Sequence, residues 1–170
     1  VQRGKYLANN VMACMDCHSK RDFSIFMGPL KPATFGAGGE RFGKEIKFPG
    51  TVYSKNITPA GLRSWTDGEI FRVITTGVSK DGSAIFPLMG YLAYGTMDRE
   101  DVYDVIAYLR SLPAIPSTIP DRELDFPVNI LVNTFPKKAS LQPKPAKSDA
   151  IAYGGYLVKI ANCLECHSKV

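Results

Sequence analysis

Helix signals recur along this chain, and no stretch alternates apolar and polar residues as a half-buried strand would. Gly4 to about Cys17 reads as one helix. Beyond it Gly28, Gly36, Gly38, Gly39, Gly43 and Gly50 break any regular element and predict a long loop. Thr66-Asp67-Gly68-Glu69 places a hydroxyl and a carboxylate where each can take a free N–H of a helix start, and Ile70, Phe71 and Ile74 carry that helix to Gly77. A second loop reaches Gly95. Asp98 then caps the strongest helix, in which Val102, Val105, Ile106 and Leu109 fall at i, i+3, i+4 and i+7 on one face. The pattern predicts an all-α fold with long loops.

After Leu112 the periodicity stops. Seven of the twelve prolines fall between 113 and 145, which predicts a stiff, extended connector. Within it Phe126, Val128, Ile130, Leu131, Val132 and Phe135 form an apolar patch, too short for a membrane span and expected to pack back on the preceding unit. The last residues then repeat the first. Gly155-Tyr156-Leu157-Val158 echoes Gly4-Lys5-Tyr6-Leu7-Ala8, and Ser168-Lys169 echoes Ser19-Lys20. The copies differ by one position, since Tyr6 stands eight residues before Cys14 and Tyr156 seven before Cys163. This self-similarity predicts two tandem units: residues 1–116, a Pro-rich connector at 117–149, and the start of a second unit at 150–170, cut short after His167.

Composition narrows the class. With 45% hydrophobic and 22% charged residues the chain is ordinary globular material. No apolar run reaches 18 residues, so no membrane-spanning helix is predicted. The first residue is Val1, so a leader or anchor removed from the N-terminus is expected, and such an anchor would give membrane association. The formal charge of +5 would suit an acidic partner, yet Lys and Arg are scattered without a basic stripe, so nucleic acid is not an expected partner.

Every Cys and every His lies in one of two pentapeptides, Cys14-Met15-Asp16-Cys17-His18 and Cys163-Leu164-Glu165-Cys166-His167. C-x-x-C-H is the haem attachment pattern: two thiols on one helical turn add to the two vinyl groups of a haem, and the next residue supplies an axial nitrogen to the iron. Haem c, two groups covalently attached, is the expected cofactor; their propionates would bring the net charge to roughly +1. Three other readings compete. A redox disulfide expects a βαβ context and leaves both histidines without a role. A zinc site expects closer pairs than the 145 residues separating Cys17 from Cys163. Structural disulfides also leave the histidines unused.

With His18 and His167 spent beneath the irons, methionine is the remaining soft ligand. Met12 and Met15 adjoin the first motif too closely to reach its opposite face, Met27 follows it by nine residues, and Met97 borders the closing helix. Met89, in Pro87-Leu88-Met89-Gly90-Tyr91 on a loop between helices, is the best placed; core filling is the plain alternative for any Met. No Met follows Met97, so the sixth ligand of the second haem is expected from residues beyond this segment, from another chain, or not at all.

Collinear with these motifs run Gly38-Gly39, Ser54-Lys55-Asn56-Ile57-Thr58-Pro59, Trp65-Thr66-Asp67, Gly77-Val78, Asp81-Gly82 and Ala107-Tyr108-Leu109-Arg110-Ser111-Leu112-Pro113. The series resembles the tandem c-type cytochromes related to the cytochrome subunit of bacterial membrane-bound alcohol and sugar-acid dehydrogenases. The resemblance covers residues 4–115 and, briefly, the last 20. It implies a class I cytochrome c fold in each unit, one complete and one begun, a periplasmic or extracytoplasmic location, and Met89 as sixth ligand. A proline usually follows that methionine in the family; here it is Gly90. The resemblance also implies that the carbonyl of Pro29, after Gly28, accepts the Nδ1–H of His18, and that Asn56-Ile57-Thr58 lies near the haem propionates, with Trp65 placed either there or as an ordinary buried aromatic.

These readings point to a one-electron carrier rather than an enzyme, relaying electrons between a dehydrogenase and a respiratory complex or terminal oxidase. The alternative is a dihaem peroxidase with an open second iron, for which the chain has no spare distal histidine.

Overall fold

The computed structural model describes residues 1–168. Helix α1, Gln2–Tyr6, winds directly into a π turn, Leu7–Val11, closed by the Met12 N–H on the Leu7 carbonyl at 2.8 Å. Ala13 then takes a left-handed conformation, φ 51°, and α2, Cys14–Cys17, sets off in a new direction. The single helix expected from Gly4 to Cys17 is therefore broken, because a left-handed residue cannot continue a right-handed helix. Next come α3, Pro59–Leu62, α4, Asp67–Thr76, α5, Tyr91–Tyr94, and α6, Arg99–Ser111. The cap on α4 forms as its sequence predicts: Thr66 Oγ1 accepts the Glu69 N–H at 3.2 Å, and Glu69 Oε2 accepts the Thr66 N–H at 2.7 Å. Asp98 caps α6 by accepting from the Glu100 N–H at 3.0 Å.

The core forms where α1 and its π turn cross α6, with α4 alongside. Leu7, Ile70, Ile74, Val102, Val105, Ile106 and Leu109 are all buried there, which is the stripe read from α6 joined by its partners. Gly4 makes the crossing close. A Cβ on Gly4 would lie 1.8 Å from the Asp104 carbonyl oxygen. Helix propensity alone would make Gly4→Ala a gain of up to about 1 kcal/mol. Overpacking against backbone reverses that sign, so Gly4→Ala is expected to lower stability by about 2 kcal/mol in urea unfolding. A stabilised variant would show that the helices can part freely.

Three short strands were not foreseen. β1, Arg41–Phe42, pairs antiparallel with β2, Gly50–Tyr53, and β2 pairs antiparallel with β3, Glu123–Leu124, in the order β1-β2-β3. Two of them are two residues long, too short to display alternation, and the Gly50–Leu124 pairing is far apart in sequence.

Residues 113–149 wrap the first unit rather than standing away from it. Asn56 Nδ2 donates to the Ile115 carbonyl at 2.8 Å, the Ser140 N–H to the Gly95 carbonyl at 2.8 Å, and a short helix, α7, Val128–Leu131, interrupts the extended path. The apolar patch divides. Val132 is buried and Phe135 meets Phe86 edge-on at 5.9 Å, whereas Phe126, Ile130 and Leu131 stay exposed. Asp149 then caps α8, Ala150–Ile160, whose last residue is fully buried in the core of the first unit. A turn at Asn162 leads to α9, Cys163–His167.

One carboxylate gathers these pieces. Asp101 on α6 has no exposed surface. Arg3 of α1 contacts it twice, at 2.6 and 3.1 Å, Lys144 of the connector lies 2.8 Å away, and the Tyr156 hydroxyl of α8 donates to it at 2.8 Å. Burial alone would raise the pKa of this acid. The donors outweigh burial and hold it below the usual carboxylate range.

Candidate functional site

The first C-x-x-C-H motif occupies α2 and the residue after it. Ala13 turns the chain, one helical turn carries Cys14 and Cys17, and His18 follows with its N–H on the Cys14 carbonyl at 2.9 Å. Residues three apart on a helix share a face, so both thiols present to one side. Cys14 packs against the edge of the core and Cys17 is exposed. Burial pushes the Cys14 thiol up to about 12. Among the described residues no three His, Cys, Asp or Glu side chains gather as a metal set.

His18 is oriented by the backbone. Its Nδ1–H donates to the Lys55 carbonyl at 2.6 Å, which leaves Nε2 with a free lone pair, and burial lowers the imidazole pKa against that hydrogen bond. The Pro29 carbonyl does not serve, contrary to what the resemblance implied: it accepts the Asp22 N–H at 2.9 Å and closes a hairpin instead. The glycines explain the exchange. Gly38, at φ 69°, donates its N–H to the His18 carbonyl at 2.8 Å, and a Cβ there would fall 2.6 Å from the Lys55 carbonyl oxygen. Only a glycine lets segment 54–57 come close enough to hold the ring.

The methionines separate by environment. Met12, Met15 and Met97 are buried core, and Met27 is 78% exposed at the tip of the hairpin. Met89 is half-buried on the loop before α5, packed against the same core that receives Cys14. Tyr94 closes this region, its hydroxyl donating to the Met12 carbonyl at 3.3 Å, and burial raises its pKa. Asn56 bridges to Ile115 and Ser117, and Trp65 lies half-buried against the core.

The second motif repeats the local geometry. Asn162 is left-handed, φ 55°, as Ala13 is, and α9 follows with Cys163 and His167 exposed. The Cys166 side chain lies outside the described structure. Asp101 and the Lys55 carbonyl escaped the sequence reading. A backbone carbonyl has no residue signature, and an acid in the first turn of a helix is already explained by the helix dipole. A haem fits what is present: two thiols on one face, a neutral imidazole fixed through Nδ1, and an apolar core edge bearing a methionine.

Comparison with known proteins agrees in kind. No family model matches the chain. It is 31% identical over 99% of its length to an alcohol dehydrogenase (quinone), cytochrome c subunit, of Gluconacetobacter polyoxogenes, covering 36% of that protein. It is 29% identical to a gluconate 2-dehydrogenase cytochrome c subunit of Pantoea cypripedii, covering 38% of it. A diheme cytochrome c-type protein of Cereibacter sphaeroides is 28% identical over 91% of this chain, which covers 53% of that relative. The chain thus spans about a third to a half of the length of these relatives. Together with a helical, long-looped fold of cytochrome c type, these likenesses support placing the chain in the cytochrome c family.

Proposed function

We propose that this chain is a periplasmic one-electron relay carrying two covalently attached haem c groups, working beside a dehydrogenase and passing electrons to a respiratory acceptor. The first group is held by Cys14 and Cys17, with His18 and Met89 as axial ligands; the second by Cys163, Cys166 and His167. The observation that carries the reading is the His18–Lys55 bond, since a ring fixed through Nδ1 presents the Nε2 lone pair as a ligand. A bound haem supplies reversible one-electron chemistry at its iron.

The residues do the rest. Cys14 and Cys17 would hold the group through thioethers, each S–H adding across one vinyl group. The Lys55 carbonyl raises the basicity of His18 and prevents rotation of the ring. Met89 offers a soft neutral sulfur, which favours the reduced state over a second imidazole. Leu7, Ile74 and Tyr94 keep water from the core edge. With His18 and Met89 both engaged, the group would supply electron transfer rather than peroxide chemistry. Intact mass of the purified protein is expected to exceed the chain by two haems, with a c-type spectrum after reduction. One added haem, or none, would overturn the two-site reading.

A further inference from the structure

We infer that Gly90 is a seat for Asn162, and that this contact sets the second attachment turn against the loop bearing the sixth ligand of the first site, so that electrons pass between the two sites inside one chain. The inference rests on the two-haem reading above. Built on the Gly90 backbone, a Cβ would lie 1.8 Å from Asn162 Nδ2 and 2.8 Å from its Cγ. Any side chain at position 90 therefore displaces the Asn162 amide. Gly90 directly follows Met89 and Asn162 directly precedes Cys163, so the contact joins the neighbours of one site's sixth ligand and the other site's first thioether. The end of the Tyr94 ring closes the seat, 3.1 Å from the same Cβ position, with its hydroxyl in reach of Asn162.

The corner between α8 and α9 is held from both sides of this contact. Upstream, Ile160 is fully buried, Tyr156 donates to Asp101, and Tyr153 pairs with Arg3. At the corner itself Asn162 adopts the left-handed conformation that asparagine tolerates better than most residues. A residue with a Cβ at 90 would exclude Asn162, so glycine is what lets the second turn approach. In the step itself one electron leaves a reduced iron at one site and reduces an oxidised iron at the other; no bond forms or breaks and no proton moves.

The test uses full-length, haem-loaded protein, with one site photoreduced and the electron followed as it redistributes. Gly90→Ala is expected to slow the redistribution severalfold with both haems retained. Asn162→Gly in that background removes the displaced amide, accepts the left-handed conformation and is expected to return the rate toward native. Gly68→Ala, at the open first turn of α4, is expected to change nothing. Native rates in Gly90→Ala with two haems in place, or no recovery in the double variant, would overturn the seat while leaving the haem assignments standing. A haem count of one would overturn the two-haem reading and this inference with it.

Discussion

Asp101→Asn is expected to lower stability by about 3 kcal/mol and to loosen α8 from the first unit. Removing one partner of a buried ion pair costs about 3–5 kcal/mol, chiefly because the charge left behind is uncompensated. Here Arg3 and Lys144 keep 20% and 37% of their side-chain surface, so both recover some hydration and the loss falls at the lower end of that range. The acid is held below its ordinary pKa by its donors. Its contribution is therefore complete above the unfolded value of about 3.9 and fades as pH falls through the folded value. The gap between native and variant, measured by urea unfolding, is thus widest at neutral pH and closes on acidification below the unfolded value of about 3.9. A gap that stays constant over that range would show that Asp101 acts by packing and not by charge.

Met89→Ala is expected to leave the fold nearly intact and to change the first haem sharply. Half-buried at the edge of the core, the side chain contributes less packing than Met15 or Met97, which are enclosed. On the ligand assignment proposed above, its loss is decisive. The iron becomes high-spin or takes a ligand from solution, the methionine–iron charge-transfer band disappears, and the potential falls on the order of 0.1 V, within the roughly 0.8 V over which axial ligands set haem potentials. Redox titration with absorbance detection checks all three. Met27→Ala, on the exposed hairpin, is the comparison. If Met27→Ala produces this change and Met89→Ala does not, the ligand assignment is wrong.

Local signals carried well from sequence to structure. The Thr66–Glu69 box and the stripe Val102, Val105, Ile106, Leu109 each depend on residues within two turns, and α4 and α6 begin and pack as they predict. The attachment turn was legible because its chemistry demands particular residues at fixed spacing. What escaped depends on distant backbone. Lys55 replaces Pro29 as the acceptor for His18 through the approach of two loops, β2 pairs with a strand over 70 residues away, and the break before Cys14 falls on an alanine, a residue that gives no hint of a left-handed conformation.

The π turn at Leu7–Val11 distinguishes the paths that lead into the two motifs. Leading into the second motif, α8 stays α-helical from Ala150 to Ile160, yet both paths end in a left-handed residue immediately before the first cysteine. A π turn holds one residue more than an α turn, so a gained residue swells the helix locally while everything downstream keeps its phase. The extra position between Tyr6 and Cys14 is that residue. The helix preceding such a motif can thus take up one more residue without changing the direction in which the following cysteine sets off.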